Sequence, residues 1–177
     1  MDEAWFAVLV LYVTQILHQR SGVYGLLLAA AALGGISVGG IGPRISRRAG
    51  PWRCLLAAGA VLAATQAGLG LTSNVIVAAG LLFGDSAAWA LYDMTTVTMR
   101  QRQVPAELLG RVTSLYGTVA GGAQALGALG GGAVAALAGI RAPMLLGALP
   151  IAATVTLLAW RHRERPAART SASVKAE

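Results

Sequence analysis

Two aspartates in one apolar stretch are the residues most able to do chemistry in this sequence. Asp85 and Asp93 lie inside Leu81 to Met99, LLFGDSAAWALYDMTTVTM, and the run ends abruptly at Arg100-Gln101-Arg102-Gln103-Val104-Pro105. An ionisable side chain at bilayer depth is costly, so it faces a protein interior or a wet cavity and has a partner or a task. Eight residues separate the two acids, which on a helix puts them about 80° apart around the axis and about 12 Å apart along it. They are therefore not a paired-carboxylate site. With Trp89 near it as a further candidate, Asp85, mid-run beside Ser86, is a candidate for proton coupling or substrate contact. The alternatives for it are a structural hydrogen bond to a neighbouring helix, or a wet position near the outer end. Asp93 lies closer to the basic stop, within reach of Arg100, Arg102 or the segment holding Arg47 and Arg48, and reads as an interfacial ion-pair residue. Gln15, Gln66 and Gln124 are further polar groups at membrane depth; such groups more often join helices than bind cargo, and Gln124 is kept as a substrate candidate.

The elements that must position these residues follow from composition. Hydrophobic residues make up 56% of the chain and charged residues 12%. Soluble domains carry about 25% charged residues, so there is too little charge here to build a polar shell. Six apolar runs, at approximately 3–19, 23–42, 54–71, 75–99, 112–138 and 144–160, approach the ~20 residues that span a bilayer. None shows the alternation of a strand. The expectation is an all-α integral membrane protein of six transmembrane helices, residues 1–160, with the polar segment 161–177 a disordered cytoplasmic tail. The segment 44–53 reads as a basic loop, Thr72-Ser73-Asn74 and 139–143 as turns, and 100–111 as a connector with a short helix opening at Pro105.

The formal net charge of +7 raises nucleic-acid binding, but the distribution of the cations argues against it. If the loops alternate sides, twelve of the fourteen Lys and Arg fall on one side and only Arg20 and Arg141 on the other. By the positive-inside rule that side is the cytoplasm, which puts both termini there and the protein in the cell membrane. The acidic start Met1-Asp2-Glu3 is unlike a cleavable signal. The lone Cys54 excludes an internal disulfide, and His18 and His162 are far apart, so neither a metal nor a cofactor is expected. An enzyme is disfavoured, with no nucleophile motif and no paired acids. The phosphate-binding G-x-x-x-x-G-K-[ST] loop is absent, which argues against ATP-driven transport by this chain alone.

Glycines recur at four-residue spacing in Gly35/Gly39, Gly80/Gly84, Gly117/Gly121 and Gly127/Gly131, a pattern that lets helix backbones approach closely. With 23 glycines, such pairs also arise by chance. The run 112–138 is the richest, which suits tight packing and bending alike.

Gly39-Gly40-Ile41-Gly42-Pro43-Arg44-Ile45-Ser46-Arg47-Arg48 resembles the loop signature of the major facilitator superfamily, roughly G-x-x-x-D-R-x-G-R-R. Gly39, Arg44, Arg47 and Arg48 match; Pro43 stands for the acid and Ser46 for the glycine. The weakened copy is similar to the repeat of this signature in the second half of that fold. The segment 100–112, RQRQVPAELLGRV, resembles the connector before the eleventh helix in the drug- and siderophore-exporter branch related to enterobactin exporters. The resemblance covers nearly the whole chain. It implies a twelve-helix secondary transporter of two six-helix halves with substrate bound between them, of which this chain corresponds to the C-terminal half. It further implies a proton-coupled exporter of a small amphipathic substrate, partnered by the lipid bilayer and by a separate N-terminal half or a second copy of itself. The rival expectation is a truncated or accessory six-helix membrane protein with no transport activity of its own.

Overall fold

The computed structural model describes residues 21–139 and 141–174, and these form five helices: α1 Ser21–Ala49, α2 Pro51–Leu71, α3 Val75–Gln103, α4 Ala106–Ala138 and α5 Arg141–Val174. The run expected at 3–19, with Gln15, lies outside the described residues. α1 from Gly22, α2, α3 and α4 are each long and apolar enough to cross a membrane, and Leu145–Trp160 of α5 is a shorter apolar segment. The molecule is thus an all-helical membrane protein, with four long apolar helices and one shorter among the described residues.

Helix ends depart from the ends of the apolar runs, for local reasons. Hydropathy falls at Gly42, yet α1 continues through Pro43 to Ala49. Pro43 gives up one ladder bond, but the arginines that follow are good helix formers and complement the negative C-terminal end of the helix dipole. Arg44, Arg47 and Arg48 therefore project from the last turns of a helix, where a loop 44–53 was expected. The break comes at Gly50, whose φ of 82° suits glycine. Its N–H bonds to the Ser46 carbonyl at 3.1 Å, and its own carbonyl accepts from Cys54 at 3.2 Å. Pro51 then opens α2, where a missing N–H costs nothing.

Between α2 and α3 the turn falls where expected. Asn74 caps α3, its side-chain oxygen accepting from the N–H groups of Ile76 (2.9 Å) and Val77 (3.3 Å). The connector expected over 100–111 shrinks to two residues, Val104 and Pro105, because α3 runs to Gln103 and α4 starts at Ala106. Pro105 is the residue before the first helical turn rather than its first member. Gly139, with φ 86°, ends α4. Helical backbone in α5 extends to Val174, past the apolar run and into the segment expected to be disordered. Continuing an existing helix escapes the cost of a new nucleus, and the alanines and arginines there favour it.

α3 packs along α1 on one side and α2 on the other, and α2 in turn packs on α5. Within a bilayer, lipid tails are as apolar as leucine, so association rests on close packing and interhelical hydrogen bonds rather than on escape from water. The contact stripes are narrow. α1 contributes Leu27, Gly34, Val38 and Gly42; α2 contributes Cys54, Ala58, Leu62, Thr65 and Leu69; α3 contributes Ala78, Leu82, Asp85, Ala88 and Thr95. Leu27, Leu69, Ala78 and Leu82 make one buried cluster and Ala58, Leu62 and Ala88 a second.

The close approaches do not fall on the spaced glycine pairs. A Cβ on Gly34 would strike the Phe83 backbone of α3, lying 2.8 Å from its carbonyl carbon, whereas one on Gly35 would meet nothing within 4 Å. On Gly42 it would lie 2.5 Å from Met94 Cε, and on Gly59 2.5 Å from Val155 Cγ2. Gly39, Gly80, Gly117, Gly121, Gly127 and Gly131 all face open space.

Candidate functional site

The buried acid of α3 stands between the two clusters. Asp85 is 8% exposed and follows Leu82 on the inner stripe, with Ala88 one turn further on. It lies ten residues into this 29-residue helix, about 15 Å along the axis from the Asn74 end, or about half of the ~30 Å hydrocarbon core of a bilayer. The stripe of α2 recurs at 54, 58, 62, 65 and 69, and its one polar member, Thr65, is 6% exposed and faces Asp85. Thr65 Oγ1 donates to Asp85 Oδ1 at 2.7 Å. The Thr65 methyl sits against Gly84, where an added Cβ would lie in ordinary van der Waals contact, 3.6 Å from Thr65 Cγ2.

The hydroxyl has more acceptors than protons. Besides Asp85, the carbonyls of Val61 (3.0 Å) and Leu62 (3.1 Å) are within its reach. One hydroxyl supplies one proton, so only one of the three can receive it at a time. Among the described residues no cationic side chain pairs with Asp85. An acid held this way, inside a helix bundle, can give up and regain a proton if a path to water opens.

Trp89 and Tyr92 flank this centre towards the C-terminal end of α3. Their rings stack at 5.8 Å between centroids with 23° between planes. Trp89 is 41% exposed, and Tyr92 packs against the Ala58, Leu62 and Ala88 cluster. Gln124 is exposed on α4, on a different helix from Asp85 and Trp89, and joins no group with them. Gln66 is half-buried beside Thr65.

Asp93 is exposed, and among the described residues no ion pair joins it to Arg100 or Arg102. The Arg100 guanidinium instead lies 3.9 Å from the centre of the Tyr116 ring, a cation–π contact between α3 and α4. Arg44 Nη1 donates to the Gly40 carbonyl at 3.2 Å. Arg44, Arg47 and Arg48 are exposed, with Gly39 two turns before Arg47 on the same helix. This basic end and the Asp85 centre are separate features.

Sequence reading passed over Thr65, taking Gln66 as the polar group of its helix. The 54–58–62–65–69 spacing is the signal that identifies it, because it puts the threonine on the buried stripe and the glutamine beside it.

Comparison with known proteins agrees with a transport architecture. No curated protein and no solved structure matches the chain. A family model described as transmembrane secretion effector, of the major facilitator type, matches residues 1–175. The chain therefore belongs to the transmembrane secretion effector family of major facilitator transporters.

Proposed function

We propose that this protein exports a small amphipathic molecule in exchange for protons, with Asp85 as the coupling acid. The single observation that carries the reading is a carboxyl at mid-span, buried between α2 and α3, hydrogen-bonded to Thr65 and matched by no cation among the described residues. Intramembrane acids of this kind mark ion and substrate pathways, and membership of a transporter family supplies the context. Trp89, stacked on Tyr92 beside the acid and partly open, is the aromatic surface assigned to the substrate. Gln124 contributes only if α4 turns towards α3 during the cycle.

The chain acts as the C-terminal half of a twelve-helix transporter of the drug- and siderophore-exporter branch, completed by an N-terminal half or by a second copy. It sits in the cell membrane with both termini in the cytoplasm, Arg44, Arg47 and Arg48 lying at the inner surface where anionic headgroups favour cations. Residues 1–160 form the six-helix bundle of this reading.

Purified chain in liposomes, with a pH-sensitive dye trapped inside and ethidium as the transported probe, tests it. The expected result is proton movement on addition of ethidium, absent from Asp85→Asn vesicles holding equal amounts of folded protein. A second reading, favoured by the Thr65 bond, makes Asp85 a helix-joining group only. It predicts a lower melting temperature for Asp85→Asn and no change in proton movement.

A further inference from the structure

The shared proton of Thr65 suggests how protonation of Asp85 is transmitted. We infer that Thr65 is a positioning residue that reverses its hydrogen bond with the charge of Asp85, and thereby carries the protonation state into the backbone of α2. The inference rests on the reading of Asp85 as a group that exchanges a proton.

With the carboxyl ionised, Asp85 can only accept, so the hydroxyl donates to it across 2.7 Å. With the carboxyl protonated, its O–H donates to Thr65 Oγ1. The Thr65 hydroxyl hydrogen must then turn away, and the Val61 and Leu62 carbonyls at 3.0 and 3.1 Å are in place to accept it. One proton is gained by Asp85 from the pathway and none is lost by Thr65; only the direction of the hydrogen-bond chain changes. Donation from threonine to a carbonyl three or four residues back bends a helix. α2 is well placed to pass such a bend on, since it packs against α3 on one side and touches α5 through Gly59 and Val155 on the other.

Other titratable groups near this pair stand off it. On α2, Cys54 is eleven residues away, about 16 Å along the axis. α1 meets α3 through Leu27, Gly34, Val38 and Gly42, with Tyr24 at the edge of the Leu82 cluster. α5 presents Ile151 and Val155 to α2. On α3 itself Tyr92 packs two turns on, and Asp93 and Arg100 lie beyond it. α4 touches α3 at Tyr116 and Arg100.

Infrared difference spectra between acid and alkaline pH read both steps in one sample. The full chain is prepared in lipid nanodiscs with carbon-13 at the valine and leucine carbonyls. The wild type should gain a protonated-carboxyl band on acidification that Asp85→Asn removes. It should also show a labelled-carbonyl band that Thr65→Ser keeps and that Thr65→Val and Thr65→Ala lose. If no carboxyl band depends on Asp85, the proton-exchange reading fails and this inference with it. If that band is present but the labelled-carbonyl band survives both Thr65→Val and Thr65→Ala, the inference alone is overturned. Thr65→Ala keeps the test open should valine not fold.

Discussion

α3 and α4 are neighbours of similar length and apolar character, yet they stand in opposite relation to the rest of the protein. α3 has five buried residues, one of them an acid; α4, with 33 residues, has none. By glycine content α4 looks the better packing helix, but no glycine of α4 has a neighbour within 4 Å of where a Cβ would stand. Glycine at four-residue spacing permits close approach without causing it. What brings helices together here is a stripe in which small residues alternate with leucines and one matched polar pair, as on α2 and α3.

Breaking the packed side should have the largest effect. Gly34→Ala puts a methyl into the Phe83 backbone, and backbone yields less readily than a side chain. Overpacking of this kind costs roughly 1–3 kcal/mol. A substantial fall in melting temperature in detergent is expected, and Gly34→Leu should prevent folding altogether. An unchanged melting temperature for Gly34→Ala would show that α1 and α3 do not meet at Gly34.

Thr65→Val comes next. It keeps the shape of the side chain but leaves Asp85 without its hydroxyl partner. An unsatisfied buried polar group costs about 1–3 kcal/mol, to be measured as a shifted unfolding midpoint in sodium dodecyl sulfate titration. Thr65→Ser should recover most of it.

Smaller effects belong to α4. Arg100→Gln removes the contact with Tyr116, worth ~0.5–1 kcal/mol at an exposed site, and should raise protease cutting at Val104 and Pro105 more than it lowers global stability. Gly121→Ala should be neutral or stabilising by roughly 0.5–1 kcal/mol, because alanine is the better helix former and its methyl meets open space. The same substitution should thus destabilise at Gly34 and not at Gly121, which is the sharpest form of the comparison.

Much of this architecture is legible in the sequence because hydropathy and capping are local. The runs at 54–71 and 75–99 coincide with the apolar parts of α2 and α3, and the turn read at Thr72-Ser73-Asn74 separates them. Helix ends beyond the membrane are not, since Arg44, Arg47 and Arg48 continue a helix while looking, by hydropathy, like a loop. Faces are harder still. Gly34 and Gly35 differ by 100° of rotation, and only one of them meets α3. Asp85 stands out by its charge, but Thr65 is one of many threonines until the spacing of its buried neighbours is read. Asp93 is equally conspicuous in sequence, and tertiary packing leaves it at the surface while burying Asp85.

That difference between two acids on one helix gives the most direct test. Ethidium accumulation driven by an imposed pH gradient would be measured in liposomes holding the full chain, Asp85→Asn or Asp93→Asn at equal folded density. Wild-type and Asp93→Asn vesicles should accumulate the dye at similar rates, and Asp85→Asn should lose the gradient-driven part. Gradient-driven accumulation that persists in Asp85→Asn, or that is lost only in Asp93→Asn, would contradict the assignment of the buried acid as the coupling group.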